Sequence, residues 1–155
     1  MNNKKVLMIC TSIHHTNTLK IAKVIGEVLN AKITKPTDVD IEILSDYDLI
    51  GFGSGIYNGK HHRSLLDLVS KLKTKNYKKV FIFSTATIPF EVMHRPLKEC
   101  LIYKGFNIIG EFYCKGFMSH SFTKYIFGGL NKGRPNEKDL KKAQDFARKL
   151  KEDIN

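Results

Sequence analysis

Apolar and polar positions follow one another along this chain in blocks that predict strands and helices in turn. Lys5–Cys10 is a nearly continuous apolar run, which is typical of a strand buried on both faces. Apolar residues then recur three and four positions apart up to Leu29, which predicts an amphipathic helix with Thr16 or Asn17 as its N-cap. The chain therefore begins with a buried strand, a polar loop and a helix.

The same order of elements repeats. Further apolar runs predict strands at Ala31–Thr34, Tyr47–Gly55, Lys78–Ala86 and Phe106–Cys114. Further helical patterns cover His62–Leu72, Pro96–Lys104 and Leu140–Leu150. This alternation predicts an α/β fold, with a parallel sheet covered by helices on both faces. Right-handed crossovers would bring the loops after the first, third and fourth strands to the carboxyl edge of the sheet, where such sheets bind ligands.

One connection is longer than this pattern needs. Residues 115–136 separate the last strand from the final helix, so the single domain of residues 1–155 carries an extra loop segment. Its apolar residues must pack on something, because an exposed patch of that size would be adhesive. We expect the segment to pack beside the ligand-binding edge, with Gly128–Gly133 as a hinge and with Lys132 and Arg134 facing an anionic partner. A structural plug over one end of the sheet is the alternative.

Composition and charge narrow the class of protein. A hydrophobic content of 42% is ordinary for a globular domain, so disorder is not expected. The three cysteines are far apart and match no metal or dithiol spacing, which predicts reduced thiols and a cytoplasmic location. No segment approaches the roughly 20 apolar residues of a membrane helix. The net charge of +11 arises from residues 51–155 and favours an anionic ligand or an acidic partner, unless the lysines serve only solubility.

The first loop, CTSIHHTNT, is rich in hydroxyl groups. It lacks the glycine and lysine of a P-loop. It also lacks an arginine six positions after Cys10, where a small tyrosine phosphatase needs one, so we expect Cys10 to be a buried strand residue. Hydroxyl and N–H donors at a helix N-terminus suit an anion such as a phosphate monoester. Simple capping of the helix by Thr16 and Asn17 is the alternative.

Three loops taken together resemble those of the flavodoxin family. TSIHHTNT is similar to the loop that wraps the 5′-phosphate of flavin mononucleotide (FMN), YDLIGFGSGIYNGK to the second loop, and FIFSTATIPF to the third. The chain looks most like short flavodoxin-like proteins. The resemblance implies a three-layer α/β sandwich, with a five-stranded parallel sheet in the order 2-1-3-4-5, and FMN as the cofactor.

The resemblance also implies three groups of cofactor-binding residues. The first would hold the phosphate: Ser12, His14, His15, Thr16, Asn17 and Thr18. The second would flank the flavin ring: Ser54, Gly55, Ile56, Tyr57, Asn58 and Gly59. The third would present backbone groups to the pyrimidine edge: Thr85, Ala86 and Thr87.

Individual residues in these loops carry expectations of their own. Tyr57 would stack on the ring, since the chain has no tryptophan, although a surface-turn role is the alternative. Asn58-Gly59 suits a turn with positive φ, and in flavodoxins a peptide here turns its carbonyl toward flavin N5. Thr16 stands where the family usually has glycine, so a positive φ would be strained there.

Two histidine pairs, His14-His15 and His61-His62, follow adjacent strands and could lie close together. We expect no metal site from them, because no carboxylate or thiolate accompanies them in the sequence. The resemblance assigns no catalytic side chain to the protein.

The function implied is electron transfer by an FMN-binding protein. Its basic character predicts a redox partner with an acidic face, or a small-molecule acceptor such as a quinone. An FMN-dependent NAD(P)H quinone or flavin-type reductase, with residues 115–134 in its substrate pocket, is the first alternative. A module that has lost its flavin and binds through its basic face is the second. No nucleic-acid partner is expected, because the basic residues form no recognisable RNA-binding motif. The oligomeric state stays open.

Overall fold

The fold is that of a computed structural model, which describes residues 3–13, 15–74, 78–118 and 128–155. The strands in these ranges are β1 (Val6–Thr11), β2 (Lys32–Thr34), β3 (Leu49–Tyr57), β4 (Lys60–His61), β5 (Lys79–Ala86) and β6 (Asn107–Lys115). The α-helices are α1 (Asn17–Leu29), α2 (Arg63–Lys71), α3 (Arg95–Tyr103) and α4 (Glu137–Ile154). In these ranges no helix is long and apolar enough to cross a membrane.

The sheet has the predicted topology. Strands β2, β1, β3, β5 and β6 lie side by side in that order and pair in parallel. Since β5 and β6 are the fourth and fifth strands of the parallel sheet, this confirms the order 2-1-3-4-5. The short β4 is an antiparallel addition to β3, in which Ile56 pairs with His61 and Tyr57 with Lys60. Because of this pairing, β3 continues to Tyr57 instead of ending at Gly55.

Alternate residues of each strand serve the two faces of the sheet. Met8 and Cys10 join the core beneath α1 and α4, whereas Leu7 and Ile9 join the core beneath α2 and α3. Both cores are closely packed, and each removes apolar side chains from water, the main favourable term in folding. Helices on both faces complete the three-layer sandwich.

Glycines in β3 make room for large rings of the neighbouring strand. A Cβ at Gly51 would lie 2.3 Å from the ring of Phe81, and one at Gly53 would lie 2.1 Å from the ring of Phe83. Both rings are fully buried. The glycines of GFGSG that precede the cleft are therefore needed for close packing within the sheet.

The described ends of the extra segment are fastened to the sheet edge. Met118 and Leu130 form a backbone bridge. Asn131 Nδ2 donates to the carbonyl oxygens of Thr87 (2.6 Å) and Gly116 (3.2 Å). These bonds fasten Asn131, in the middle of Gly128–Gly133, to the sheet edge, and the hinge stays a prediction. The apolar residues within 119–127 lie outside the described residues.

Arg134 forms an ion pair within the chain. Its guanidinium is 2.6 Å from the Asp139 carboxylate, which is buried and also accepts from the backbone N–H of Asn136. Asn136 in turn accepts from the Asp139 N–H, which completes a capping box at the start of α4. The prediction for Arg134 is wrong, because its charge is used within the chain. Lys132 is exposed, as expected.

Candidate functional site

A cleft of about 420 Å³ lies at the carboxyl edge of the sheet, where the loops after β1, β3 and β5 meet. Its size is within the usual range for small-molecule sites, about 300–1,000 Å³. Three groups of predicted residues line it: Ser12, His15, Asn17 and Thr18; Gly55, Ile56, Tyr57 and Asn58; Thr85, Ala86 and Thr87. Gly116, Phe117 and Met118 of the extra segment complete the wall. The sequence placed this segment at the correct edge but did not single out these three residues.

The first loop leaves its helix terminus available to an anion. His15 and Thr16 have φ values of 53° and 54°, so the chain enters α1 through two left-handed residues. Thr16 occupies the N-cap position but makes no capping bond with its side chain, and the first turn carries no acidic residue. Backbone N–H groups at such a terminus lack helical partners and attract negative charge. Simple side-chain capping by Thr16 does not account for this loop.

Asn17 and Thr18 join the first loop to the other two walls of the cleft. The hydroxyl groups of Thr18 and Thr85 lie 2.8 Å apart and are buried. Asn17 Nδ2 donates to the carbonyl oxygen of Phe117 at 2.7 Å. Its Oδ1 is buried and has no hydrogen-bond partner among the described residues. An unpaired buried acceptor is costly, so this atom fits a ligand hydroxyl in the cleft.

Tyr57 stands at the side of the cleft. The backbone of Ile13 hydrogen-bonds its hydroxyl, and burial raises the pKa of the phenol. Its ring meets the ring of His62 edge-on, with 5.3 Å between centroids. A Cβ at Gly55 would lie 2.9 Å from the Tyr57 oxygen, so a glycine is needed for this ring position. Tyr57 is thus a wall residue, half-buried between the first and second loops.

The expected turn after β3 is present. Asn58 and Gly59 have φ values of 51° and 76°, and they connect β3 to β4. Positive φ at both central residues is the geometry of a two-residue hairpin loop of type I′. The turn carries Asn58 into the wall of the cleft.

Three of the predicted cofactor residues that the structure describes do not line the cleft. Thr16 is exposed, and Gly59 is exposed at the hairpin tip. Ser54 is buried, where its hydroxyl donates to Gly55 O at 2.6 Å and accepts from the His62 N–H at 2.9 Å. His14 lies outside the described residues. Contacts from these residues to a cofactor remain predictions.

The histidines do not gather into one cluster among the described residues. His15 packs against Phe117, with 4.6 Å between ring centroids, whereas His62 caps α2 by accepting from the Ser64 N–H. His61 is buried and contacts His94 at 5.0 Å between ring centroids. Burial lowers the pKa of His61 to about 3. In the described ranges, no group of three histidine, cysteine or acidic residues is placed to hold a metal ion.

His94 belongs to a buried polar network that the sequence did not indicate. Its Nε2 lies 2.7 Å from the Ser84 hydroxyl and its Nδ1 lies 2.9 Å from Glu111 Oε2. Glu111 also forms an ion pair with Lys98. Burial lowers the pKa of His94, although Glu111 opposes this shift. The members come from β5, β6, α3 and the short 3₁₀ helix before α3, so no spacing in the sequence reveals them.

Comparison with known proteins agrees with this fold. The family model of the flavodoxin domain matches residues 8–103, more than half of the chain, and the chain belongs to the flavodoxin family. An uncharacterized protein of Methanocaldococcus jannaschii is 51% identical over 148 residues, which cover 94% of this chain and 97% of that protein.

Solved flavodoxins share the fold at low sequence identity. Oxidised flavodoxin 2 from Bacillus cereus has a TM-score of 0.73 at 21% identity, covering 96% of this chain and 99% of its own. A flavodoxin from the domain Archaea has a TM-score of 0.70 at 17% identity, covering 97% and 98%. An NADH:FMN oxidoreductase in its apo form has a TM-score of 0.70 at 12% identity, covering 98% and 90%.

Flavodoxins bind FMN, and FMN is the cofactor of this chain. The residues present fit it. The start of α1, which has no side-chain cap from Thr16, suits its phosphate, and the unpaired Asn17 Oδ1 suits a hydroxyl of its ribityl chain. Tyr57 and Phe117 supply aromatic surface beside the polar groups of the third loop.

Proposed function

We propose that this protein is an electron carrier that binds FMN in the cleft without a covalent bond. The observation that carries the proposal is the meeting of three loops in one cleft, which Tyr57 lines and which adjoins the start of α1, where Thr16 provides no side-chain cap. Bound FMN supplies one- and two-electron redox chemistry. The chain contributes the anchor, the walls and the electrostatic field.

The residues divide this work by loop. Ser12 and the N–H groups of the first turn would hold the phosphate, with Thr18 and Thr85 fixing the loop between them. Tyr57 would stack on the flavin ring, and the Asn58-Gly59 peptide would face its N5 edge. Backbone groups of Thr85–Thr87 would bind the pyrimidine edge. The hydrogen bond from Asn131 to the Thr87 carbonyl oxygen would hold this loop in position for that contact.

The redox partner would have an acidic face, or the acceptor would be a small molecule such as a quinone. Between residues 51 and 110 the chain carries ten basic against three acidic residues. Such an excess raises the local concentration and the association rate of anionic partners.

Comparing FMN with riboflavin tests the anchor. Charge-assisted hydrogen bonds contribute about 1.5–3 kcal/mol each. Two of them would make riboflavin bind at least about a hundredfold more weakly than FMN. Titration of the FMN-free protein with each flavin, followed by flavin fluorescence, measures the ratio. Equal affinities would remove the phosphate from the first loop and with it the proposed site.

A reductase is the second candidate, because Gly116–Met118 add a wall to the cleft from outside the three flavin loops. Steady-state oxidation of NADH or NADPH with a quinone separates the two. An enzyme with its own substrate would turn over at about 1–10³ per second. A carrier would need a separate reductase to reach such rates.

A further inference from the structure

A second cleft, of about 580 Å³, adjoins the FMN cleft on the other side of the first loop. It lies between the end of β1, the segment after β2, and the start of α2. Ser12 lines both clefts. Its wall includes Ile13, Ile33, Lys35, Asp38, His62 and Ser64. The family comparison and the proposed FMN site leave this cleft without a role.

One side chain lies between the two clefts. Tyr57 lines the FMN cleft. Its hydroxyl is hydrogen-bonded by the backbone of Ile13, and its ring meets His62 edge-on. Ile13 and His62 both line the second cleft. A ligand there would therefore be separated from the flavin site by little more than the thickness of this wall.

His62 presents a hydrogen-bond donor of known tautomer. The backbone N–H of Ser64 donates to His62 Nδ1 at 3.2 Å, and the Ser64 hydroxyl lies 2.8 Å from the same nitrogen. Nδ1 therefore acts as an acceptor, and the neutral ring carries its proton on Nε2. The helix cap thus fixes which nitrogen is the donor, and the partly exposed ring lines the cleft.

The charges of the described wall residues favour a neutral ligand. Lys35 and Asp38 carry opposite charges, and the Thr37 hydroxyl donates to Asp38 at 3.0 Å. The phosphate of a nucleotide would be attracted by Lys35 but repelled by the Asp38 carboxylate, so the two charges give it no net advantage. Ile13, Ile33 and Pro36 give apolar surface instead. Apolar walls with a few placed donors suit an apolar ring that bears carbonyl oxygens.

We propose that the second cleft binds a quinone and that His62 Nε2–H donates to one of its carbonyl oxygens. This inference rests on the proposed function, because the electrons come from FMN. The quinone would take up two electrons and two protons, which two-electron-reduced FMN would supply, so that the products would be the hydroquinone and oxidised FMN. The quinone needs no further reductant at this step.

The thiol at the base of the cleft is protected from the quinone. Quinones add to thiolates, and Cys10 lines this cleft. Burial raises the pKa of the Cys10 thiol to about 12, so it stays neutral at physiological pH. The cleft can therefore hold a quinone without being alkylated by it.

Binding is tested with 2-methyl-1,4-naphthoquinone by amide NMR, on the protein with and without FMN. Binding in the second cleft shifts the amides of Thr34, Lys35 and Ser64. His62→Asn keeps a residue that caps helices well but removes the ring donor. Thr34→Trp places a large side chain in the cleft, and Thr74→Trp, at an exposed threonine outside both clefts, is its control.

Kinetics on the FMN-loaded protein give the second readout. We expect the quinone KM to rise at least tenfold in His62→Asn and Thr34→Trp, with FMN affinity and the rate with hexacyanoferrate(III) within twofold of the parent. Thr74→Trp should match the parent throughout. A quinone that shifts only Asn58 and Thr85–Thr87, or an unchanged KM in both variants, overturns the proposal. Quinone shifts at Thr34 in a protein that fails to bind FMN would support this cleft and refute the proposed function.

Discussion

Two left-handed residues at the start of α1 set the shape of the first loop. A non-glycine residue in this conformation costs of order 1–3 kcal/mol and persists only where its surroundings fix it. Here Asn17 and Thr18, directly after His15 and Thr16, are bonded to Phe117 and Thr85. The sequence identified the position of this strain through the missing glycine. It could not show the bonds that hold it, because Phe117 is 100 residues away from Asn17 along the chain.

Replacing Tyr57 by alanine tests the wall of the FMN cleft. An aromatic stack contributes about 0.5–1.5 kcal/mol beyond its buried area. Loss of the stack alone should weaken FMN binding by about twofold to tenfold in Tyr57→Ala. It should also raise the fluorescence of bound flavin, because a stacked phenol quenches it. Tyr103→Ala is the control, since that side chain is 78% exposed on α3. Unchanged affinity and quenching in Tyr57→Ala would make Tyr57 a bystander.

At the level of elements, the apolar runs predicted the strands of the parallel sheet, and the family resemblance implied their order. The end of β3 was the exception. Ile56 and Tyr57 belong to the strand because they pair with a two-residue strand, and so short a strand has no periodicity of its own.

The sequence predicted the three loops that line the cleft, but it did not single out Gly116–Met118, which form the fourth wall. Loops after buried strands must converge at one edge of a parallel sheet, which made Ser12, Tyr57 and Thr85 predictable together. Gly116–Met118 form the fourth wall, and Asn131 holds them there by donating to the Gly116 carbonyl oxygen. This contact depends on the path of a long connection, which the sequence does not reveal. Arg134 was misjudged because a charge on a loop looks the same in sequence whether it meets solvent or Asp139.

Replacing Asn131 by glycine tests the attachment of the extra segment. Its φ of 56° suits glycine, so the change removes two side-chain hydrogen bonds without straining the backbone. At about 0.5–1.5 kcal/mol each, their loss should lower the free energy of unfolding by about 1–3 kcal/mol. Urea unfolding measures it. Asn30→Gly is a matched control, because Asn30 also has a positive φ (51°) at the C-cap of α1. Equal effects of the two changes would mean that the Asn131 bonds contribute nothing.

At the scale of the whole molecule, the buried histidines couple stability to pH. His61 has a pKa of about 3 in the folded protein, whereas an unfolded histidine titrates near 6.5. Below pH 6.5 the unfolded chain therefore binds a proton that the folded chain does not. The free energy of unfolding should fall by about 1.6 kcal/mol from pH 6.5 to 5, with a slope that approaches about 1.4 kcal/mol per pH unit as the unfolded histidine becomes fully protonated. The lowered pKa of His94 acts in the same direction.

Urea unfolding at pH 6.5 and pH 5 measures this dependence. His61→Asn should flatten it, since asparagine does not titrate. His15→Asn should leave it unchanged, because His15 is exposed. A slope in His61→Asn as steep as that of the parent would show that His61 is not the source.

The field of the whole molecule should govern how fast charged acceptors reach the flavin. The net charge is +11, and Lys115 and Lys132 are exposed beside cleft residues: Lys115 pairs with Ala86, and Lys132 follows Asn131. Raising the ionic strength from about 0.01 to 0.15 M shortens the screening length from about 30 to 8 Å. Oxidation of the reduced protein by anionic hexacyanoferrate(III) should therefore slow severalfold, and oxidation by cationic hexaammineruthenium(III) should accelerate. Stopped-flow absorbance measures both.

Lys115→Glu combined with Lys132→Glu should weaken both trends. Lys151→Glu is the control and should leave them unchanged, because Lys151 reaches Val28 at the opposite end of α1. Salt dependences that are the same for the two acceptors would show that the flavin edge carries no net positive field, and an acidic partner would then have no electrostatic reason to dock there.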